Sequence, residues 1–221
     1  MATDIAKVLA NLTSFYDFRN KSVVHAGAGG GQFIGYASDA RHVVAVDPDA
    51  AALTPLRAAI DSLGLSDRFT VRQALFESLS DKADVVFFEF CLHEMGDPGA
   101  ALRHARTLAP ETLVVDHVPE SQWAWHTAEV EKAARSWAAI DRAGVSADRV
   151  FVGRQLFPDA DALVARLASL GEPAVSRARA LEGATGIDIE MIYRVALLTR
   201  PAATASLPEP DVADGPRAAR K

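Results

Sequence analysis

The chain has 221 residues, 49% of them hydrophobic, with a net charge of −6 and a single cysteine, Cys91. That length buries a full core, with one domain as the default, and one cysteine excludes an internal disulfide or a multi-cysteine metal cluster. Interspersed acidic and basic residues leave no basic stripe for nucleic acid, and no window reaches the roughly 18 uninterrupted apolar residues of a membrane span, so a soluble, cytoplasmic protein is expected.

Ile5, Val8, Leu9, Leu12, Phe15 and Tyr16 recur at helical spacing, which predicts an amphipathic helix within residues 1–20 that covers the site. An alternation follows: strand 22–26, a helix from Gln32, strand 42–46, helix 50–63, strand 69–73 and strand 84–88. Helix 99–108, strand 112–116, a helix near 128–143, helix 159–170 and strands near 174–181 and 189–198 complete it. Runs such as "HVVAV" and "DVVFFEF" are continuously apolar, as strands covered on both faces by helices require. The expected fold is α/β, a Rossmann-like doubly wound sheet of seven strands, mostly parallel with an antiparallel C-terminal strand, over residues 21–199. Gly64 and Gly171 sit where helices should stop, and Asp159 where one should be capped. Residues 200–221 are rich in Pro, Ala and charge with few large apolar side chains, and a disordered tail is expected.

Gly27-Ala28-Gly29-Gly30-Gly31 follows the first strand, letting the backbone turn sharply and a ligand approach it closely. The helix expected from Gln32 would aim free N–H groups at an anionic ligand group. Asp47 closes the second strand, where a carboxylate can accept both hydroxyls of a ribose. Phe33 stands where a dinucleotide fingerprint wants a third Gly or Ala, which disfavours NAD and FAD. His25, His93, His117 and His126 fall near the carboxyl ends of the strands, with Glu89, Glu94, Asp116 and Glu120 among them. They read either as separate polar contacts or, for His93, His117, His126 and Glu94, as ligands of a divalent metal, although no local metal motif is present. Trp123, Trp125 and Trp137 suit either aromatic walls or core. Cys91 reads as a small buried hydrophobe, and Arg154 as a partner for a substrate carboxylate or for a surface acid.

"VVHAGAGGG", "VVAVDPD" and "DVVFFEFCLHEMGDPGAALRHARTLAPETLVVDH" together resemble the class I S-adenosylmethionine-dependent methyltransferases, over roughly residues 22–198. The resemblance implies S-adenosyl-L-methionine as cofactor, bound by His25, Gly27, Ala28, Gly29, Asp47, Pro48, Leu75, Phe76, Glu89 and Phe90. It implies methyl transfer to a small molecule, with His93 and His117 as candidate bases and Tyr16, Trp125, His126 and Arg154 toward the substrate. Ring closure, intramolecular alkylation or non-catalytic binding are the alternatives, and a homodimer stays open. Two departures stand out: His25 occupies a position where the family usually has an acid, and Ala74-Leu75-Phe76-Glu77 replaces its Gly-Asp-Ala motif.

Overall fold

The computed structural model, which describes residues 2–3 and 5–200, gathers the apolar runs into one sheet. In chain order the elements are β1 (Ala2–Thr3), α1 (Ile5–Phe15), β2 (Ser22–Ala26), β3 (His42–Asp47), α2 (Ala50–Ser62), β4 (Phe69–Gln73) and β5 (Val85–Glu89). They continue as α3 (Pro98–Leu108), β6 (Glu111–His117), α4 (Gln122–His126), α5 (Val130–Ala143), β7 (Ala147–Asp159), α6 (Ala160–Leu167), α7 (Glu172–Arg179) and β8 (Thr185–Thr199). The strand order is β1-β7-β8-β6-β5-β2-β3-β4. The run from β6 to β4 is parallel; β8 enters antiparallel between β6 and β7, and the short β1 pairs with β7 at the edge. The seven expected strands therefore become seven plus a two-residue edge strand.

Alternation along each strand feeds two cores. Val23, Val43, Val85 and Leu113 point to one face with Leu12 of α1, Leu56 of α2 and Leu163 of α6; Val24, Val44, Val86 and Val114 point to the other with Leu102 of α3 and Ile140 of α5. The chain leaves β2 for β3 and β4 on one side, then crosses back so that β5 pairs with the opposite edge of β2. This reversal opens a crevice at the carboxyl ends of β2 and β5, the position at which doubly wound sheets bind ligands.

Three expectations change. The helix expected from Gln32 is a five-residue 3-10 turn, Ile34–Ser38, so no long helix aims its dipole at the glycine loop. Few residues separate the glycines from β3, Gly35 interrupts them, and a Cβ there would come within 2.7 Å of Leu9 in α1. The segment near 174–181, whose Val and Leu alternate with polar residues, is the helix α7: Gly171 at φ +91° turns the chain and Pro173 occupies the first helical turn. The missing strand is β7, hidden in sequence because Gly153 and Gln155 are buried while Val150, Val152 and Leu156 face outward. The helix expected near 128–143 is α5, which starts just after Ala128 (φ +64°), with the short α4 ahead of it. The caps hold: Asp159 accepts from Ala162 N at 2.8 Å, and Gly64 turns at φ +66°. Among the described residues no helix is long and apolar enough to cross a membrane. The expected tail falls, from residue 201 on, outside the described residues.

Helix α1 lies against the sheet, with Leu12 1% exposed and Asn11 Nδ2 donating to Tyr193 Oη at 2.8 Å. Leu12→Ala should lower unfolding free energy by about 2 to 5 kcal/mol, read as a reduced urea midpoint at constant slope.

Candidate active site

The turn after β2 is built by steric necessity. Gly27 takes φ +64°, and a Cβ there would stand 2.5 Å from Cys91 Cβ, so only glycine lets the chain after β2 pass the chain after β5. A Cβ on Gly29 would meet Ala52 at 2.7 Å and Asp47 Oδ2 at 2.9 Å. That closeness serves a hydrogen bond: Gly29 N donates to Asp47 Oδ2 at 3.1 Å, while Asp49 N donates to Asp47 Oδ1 at 2.9 Å. The carboxylate is thus fixed at the mouth of the crevice with lone pairs to spare.

Two cavities flank this turn. The larger, about 420 Å³, is walled by Val46, Asp47, Pro48, Leu75, Phe76, Glu77, Cys91, Glu94 and Met95. The smaller, about 200 Å³, is walled by Gly29, Gln32, Phe33, Glu89, His117, Trp123, Gln155, Arg166 and Met191. Gly27 and Phe90 border both. Phe90 sits at φ +47°, a strained setting for an aromatic residue, held by its N–H to Val115 O at 2.8 Å. Its ring lies 4.7 Å from that of His117 and 5.7 Å from that of Phe33.

The two histidines at the ends of β5 and β6 carry opposite charge states. His93 is almost sealed; its Nδ1 lies 2.6 Å from Asp116 Oδ1, and its Nε2 faces Glu94 at 3.4 Å and Glu129 at 3.6 Å. Burial works against its charge, but the three carboxylates prevail and push its pKa up to about 12. With carboxylates facing both ring nitrogens, the geometry favours His93 as a cation over His93 as a base. His117 is the reverse: burial, opposed by Asp116 and assisted by the charge of His93, takes its pKa down to about 4. Its Nδ1 has no hydrogen-bond partner, and its carbonyl accepts from Trp137 Nε1 at 2.7 Å. That enclosed nitrogen is not open to solvent, and the neutral imidazole lines the smaller cavity.

A methyltransferase-domain family model matches residues 1–171. The chain belongs to the methyltransferase-domain family, of the class I, S-adenosylmethionine-dependent kind. No curated protein matches it significantly. Among solved structures, it is similar to a Bacillus halodurans protein assigned as a methyltransferase, at 17% identity and a TM-score of 0.65, over 89% of this chain and 100% of the other. It is similar to the Synechocystis magnesium protoporphyrin IX methyltransferase crystallised with bound SAM, at 16% identity and TM-score 0.53, over 87% and 77% of the two chains. The cyclase SpnF aligns at 16% identity and TM-score 0.58, over 89% and 82%.

The residues of this methyltransferase-domain chain fit S-adenosyl-L-methionine. Of those expected around the cofactor, Gly27, Asp47, Pro48, Leu75, Phe76 and Phe90 wall the larger cavity, and Gly29 and Glu89 the smaller. Ala28 is core, its N–H bonded to Val46 O at 3.2 Å, and His25 is sealed behind the turn at 0% exposure. Glu77 puts a carboxylate on the wall of the larger cavity despite the altered third motif. Sequence also gave no sign of Gln155, Arg166 and Met191, because they reach the smaller cavity from β7, α6 and β8, far along the chain.

The four residues expected toward the substrate wall neither cavity. Tyr16 lies at the opposite, amino-terminal end of the strands, its hydroxyl 2.5 Å from Glu111 and 2.7 Å from Lys21. Arg154 is exposed and paired with Asp188 at 2.5 Å across β7 and β8. Trp125 is exposed under Arg177, with His126 edge-on beside it at 4.8 Å. Nor do His93, His117, His126 and Glu94 converge as ligands; among the described residues the metal-competent group is His93, Glu94 and Glu129. There Lys132 already lies 2.7 Å from Glu94, and Glu120 is exposed.

The pKa values of the two histidines set opposite pH windows. The folded value of His117, about 4, lies below the ordinary 6.5, so its contribution is complete above about pH 6.5 and disappears as pH falls through 4, about 3 kcal/mol in all. His93 is raised, so its contribution is complete below about pH 6.5 and is lost as pH rises toward 12. Urea unfolding between pH 7 and 4 should show a shallower loss of stability for His117→Gln than for wild type. Asp116→Asn, which strands the buried imidazolium, should cost about 3 to 5 kcal/mol at pH 7.

Proposed function

We propose that this chain transfers the methyl group of S-adenosyl-L-methionine to a small molecule seated in the smaller cavity, with His117 as proton acceptor. The observation that carries this reading is that both cavities meet at Gly27 and Phe90, with a fixed carboxylate on one side and a neutral histidine on the other. Residues 21–199 would form the cofactor-binding domain, with the helix of residues 1–20 packed on its sheet.

Asp47 would hold the ribose hydroxyls, Pro48, Leu75 and Phe76 the purine, and Glu77 its amino group. When bound, the cofactor supplies an electrophilic methyl group on a sulfonium. The protein's share is alignment and proton removal. His117 accepts a hydrogen bond from an acceptor hydroxyl, thiol or amine, then its proton as that group is alkylated. Burial keeps His117 neutral, and the cation at His93 takes no proton itself. Phe33 and Trp123 confine the acceptor, and a volume of about 200 Å³ suits a small substrate better than a macromolecule.

The likeness to SpnF favours one second reading, ring closure on the same scaffold. Product analysis separates them: transfer yields S-adenosylhomocysteine and a methylated second molecule, and cyclisation yields neither.

Calorimetry should detect S-adenosylmethionine and S-adenosylhomocysteine but not NAD. Asp47→Ala should weaken both by about ten- to hundredfold, the loss of charged hydrogen bonds. His117→Gln should spare binding while lowering turnover about a hundredfold or more. Absence of affinity for both sulfur nucleosides would contradict the assignment.

A further inference from the structure

His25 looks misplaced, a polar ring sealed in the core against Phe87 (ring centroids 4.9 Å apart) at the end of the strand that leads into the glycine turn. Its two nitrogens explain it. Nδ1 lies 3.0 Å from the hydroxyl of Tyr36, itself buried. Nε2 faces Glu89 Oε2 at 3.2 Å, without a well-directed hydrogen bond. A carboxylate only accepts, so the nitrogen facing it carries the hydrogen; Nδ1 then offers its lone pair, and Tyr36 donates to it. Burial and the charge of Glu89 keep the Tyr36 hydroxyl protonated, as this direction requires.

This line of contacts ends in the smaller cavity, where Glu89 is the one carboxylate among the lining residues and Arg166 the one guanidinium. The amino-acid end of S-adenosylmethionine carries an ammonium and a carboxylate. Within the smaller cavity, Glu89 is the one anionic partner such an ammonium would meet.

We propose that His25 is a positioning residue, and that the Tyr36–His25–Glu89 relay fixes the Glu89 carboxylate to accept the α-ammonium group of the cofactor's amino-acid end. This rests on the cofactor assignment above. The histidine itself, fully enclosed, touches no ligand; it acts through the neighbouring strand.

Calorimetry on the full chain with two ligands tests this. S-adenosylhomocysteine carries the amino-acid end, whereas methylthioadenosine keeps nucleoside and sulfur but lacks it. Glu89→Gln should weaken S-adenosylhomocysteine about ten- to hundredfold and leave methylthioadenosine unchanged. The double variant His25→Phe with Tyr36→Phe fills the same space without buried polar atoms. It should lose S-adenosylhomocysteine affinity several-fold, again sparing methylthioadenosine, and adding Glu89→Gln to it should cause little further loss. His25→Gln, which keeps an N–H donor, should retain most of the affinity. Equal loss of both ligands in Glu89→Gln, or no loss of either, would overturn the relay while leaving the cofactor assignment standing. Failure of the wild-type chain to bind either ligand would overturn the cofactor assignment and the relay with it.

Discussion

The contact of Gly27 with Cys91 sets the layout of everything around it. β2 and β5 are paired neighbours, and the chains leaving them have to diverge within one residue, one through φ +64° at Gly27 and the other through φ +47° at Phe90. Two left-handed residues side by side create a notch that regular strands would close. Because β2 is also the strand at which the order reverses, no crossover helix covers the notch. Asp47, arriving on β3, is tied to the same turn through Gly29 N, so carboxylate and turn are placed by one hydrogen bond at 3.1 Å.

Charge is then divided along the carboxyl edge of the sheet. On the side of α3 and α5, Asp116 holds His93 as a cation; on the side of α1 and α6, His117 stays neutral one residue farther along β6. Alternation of side chains across the pleat makes this possible, since Asp116 and His117 point to opposite faces. Burial holds His117 neutral, while the two charges of the ion pair act on it in opposite directions, Asp116 favouring its protonation and His93 disfavouring it. On the β2–β5 pair, buried Tyr36 and His25 lie in line behind Glu89, at 3.0 and 3.2 Å.

The parallel half of the fold was legible because its strands are unbroken apolar runs with glycine or aspartate at their ends. The C-terminal half was less so. β7 presents Gly153 and Gln155 inward, so its hydrophobic period is inverted, and α7 carries an alternation that resembles a strand. The proximity of Asp47 to the glycine turn was readable because each closes one of two consecutive strands. Gln155, Arg166 and Met191 were not, since only the folded sheet brings their elements to the smaller cavity. Histidine identity alone did not separate His93 from His117; the difference lies in carboxylate neighbours that no spacing rule reveals.

The central claim is that one ligand spans both cavities past Gly27. A crystal structure with S-adenosylhomocysteine tests it most directly. The expected result is the ribose on Asp47, the purine against Leu75 and Phe76, and the amino-acid end beside Glu89 in the smaller cavity. Density for the ligand outside the Asp47 crevice, or with its amino-acid end directed away from Glu89, would contradict it.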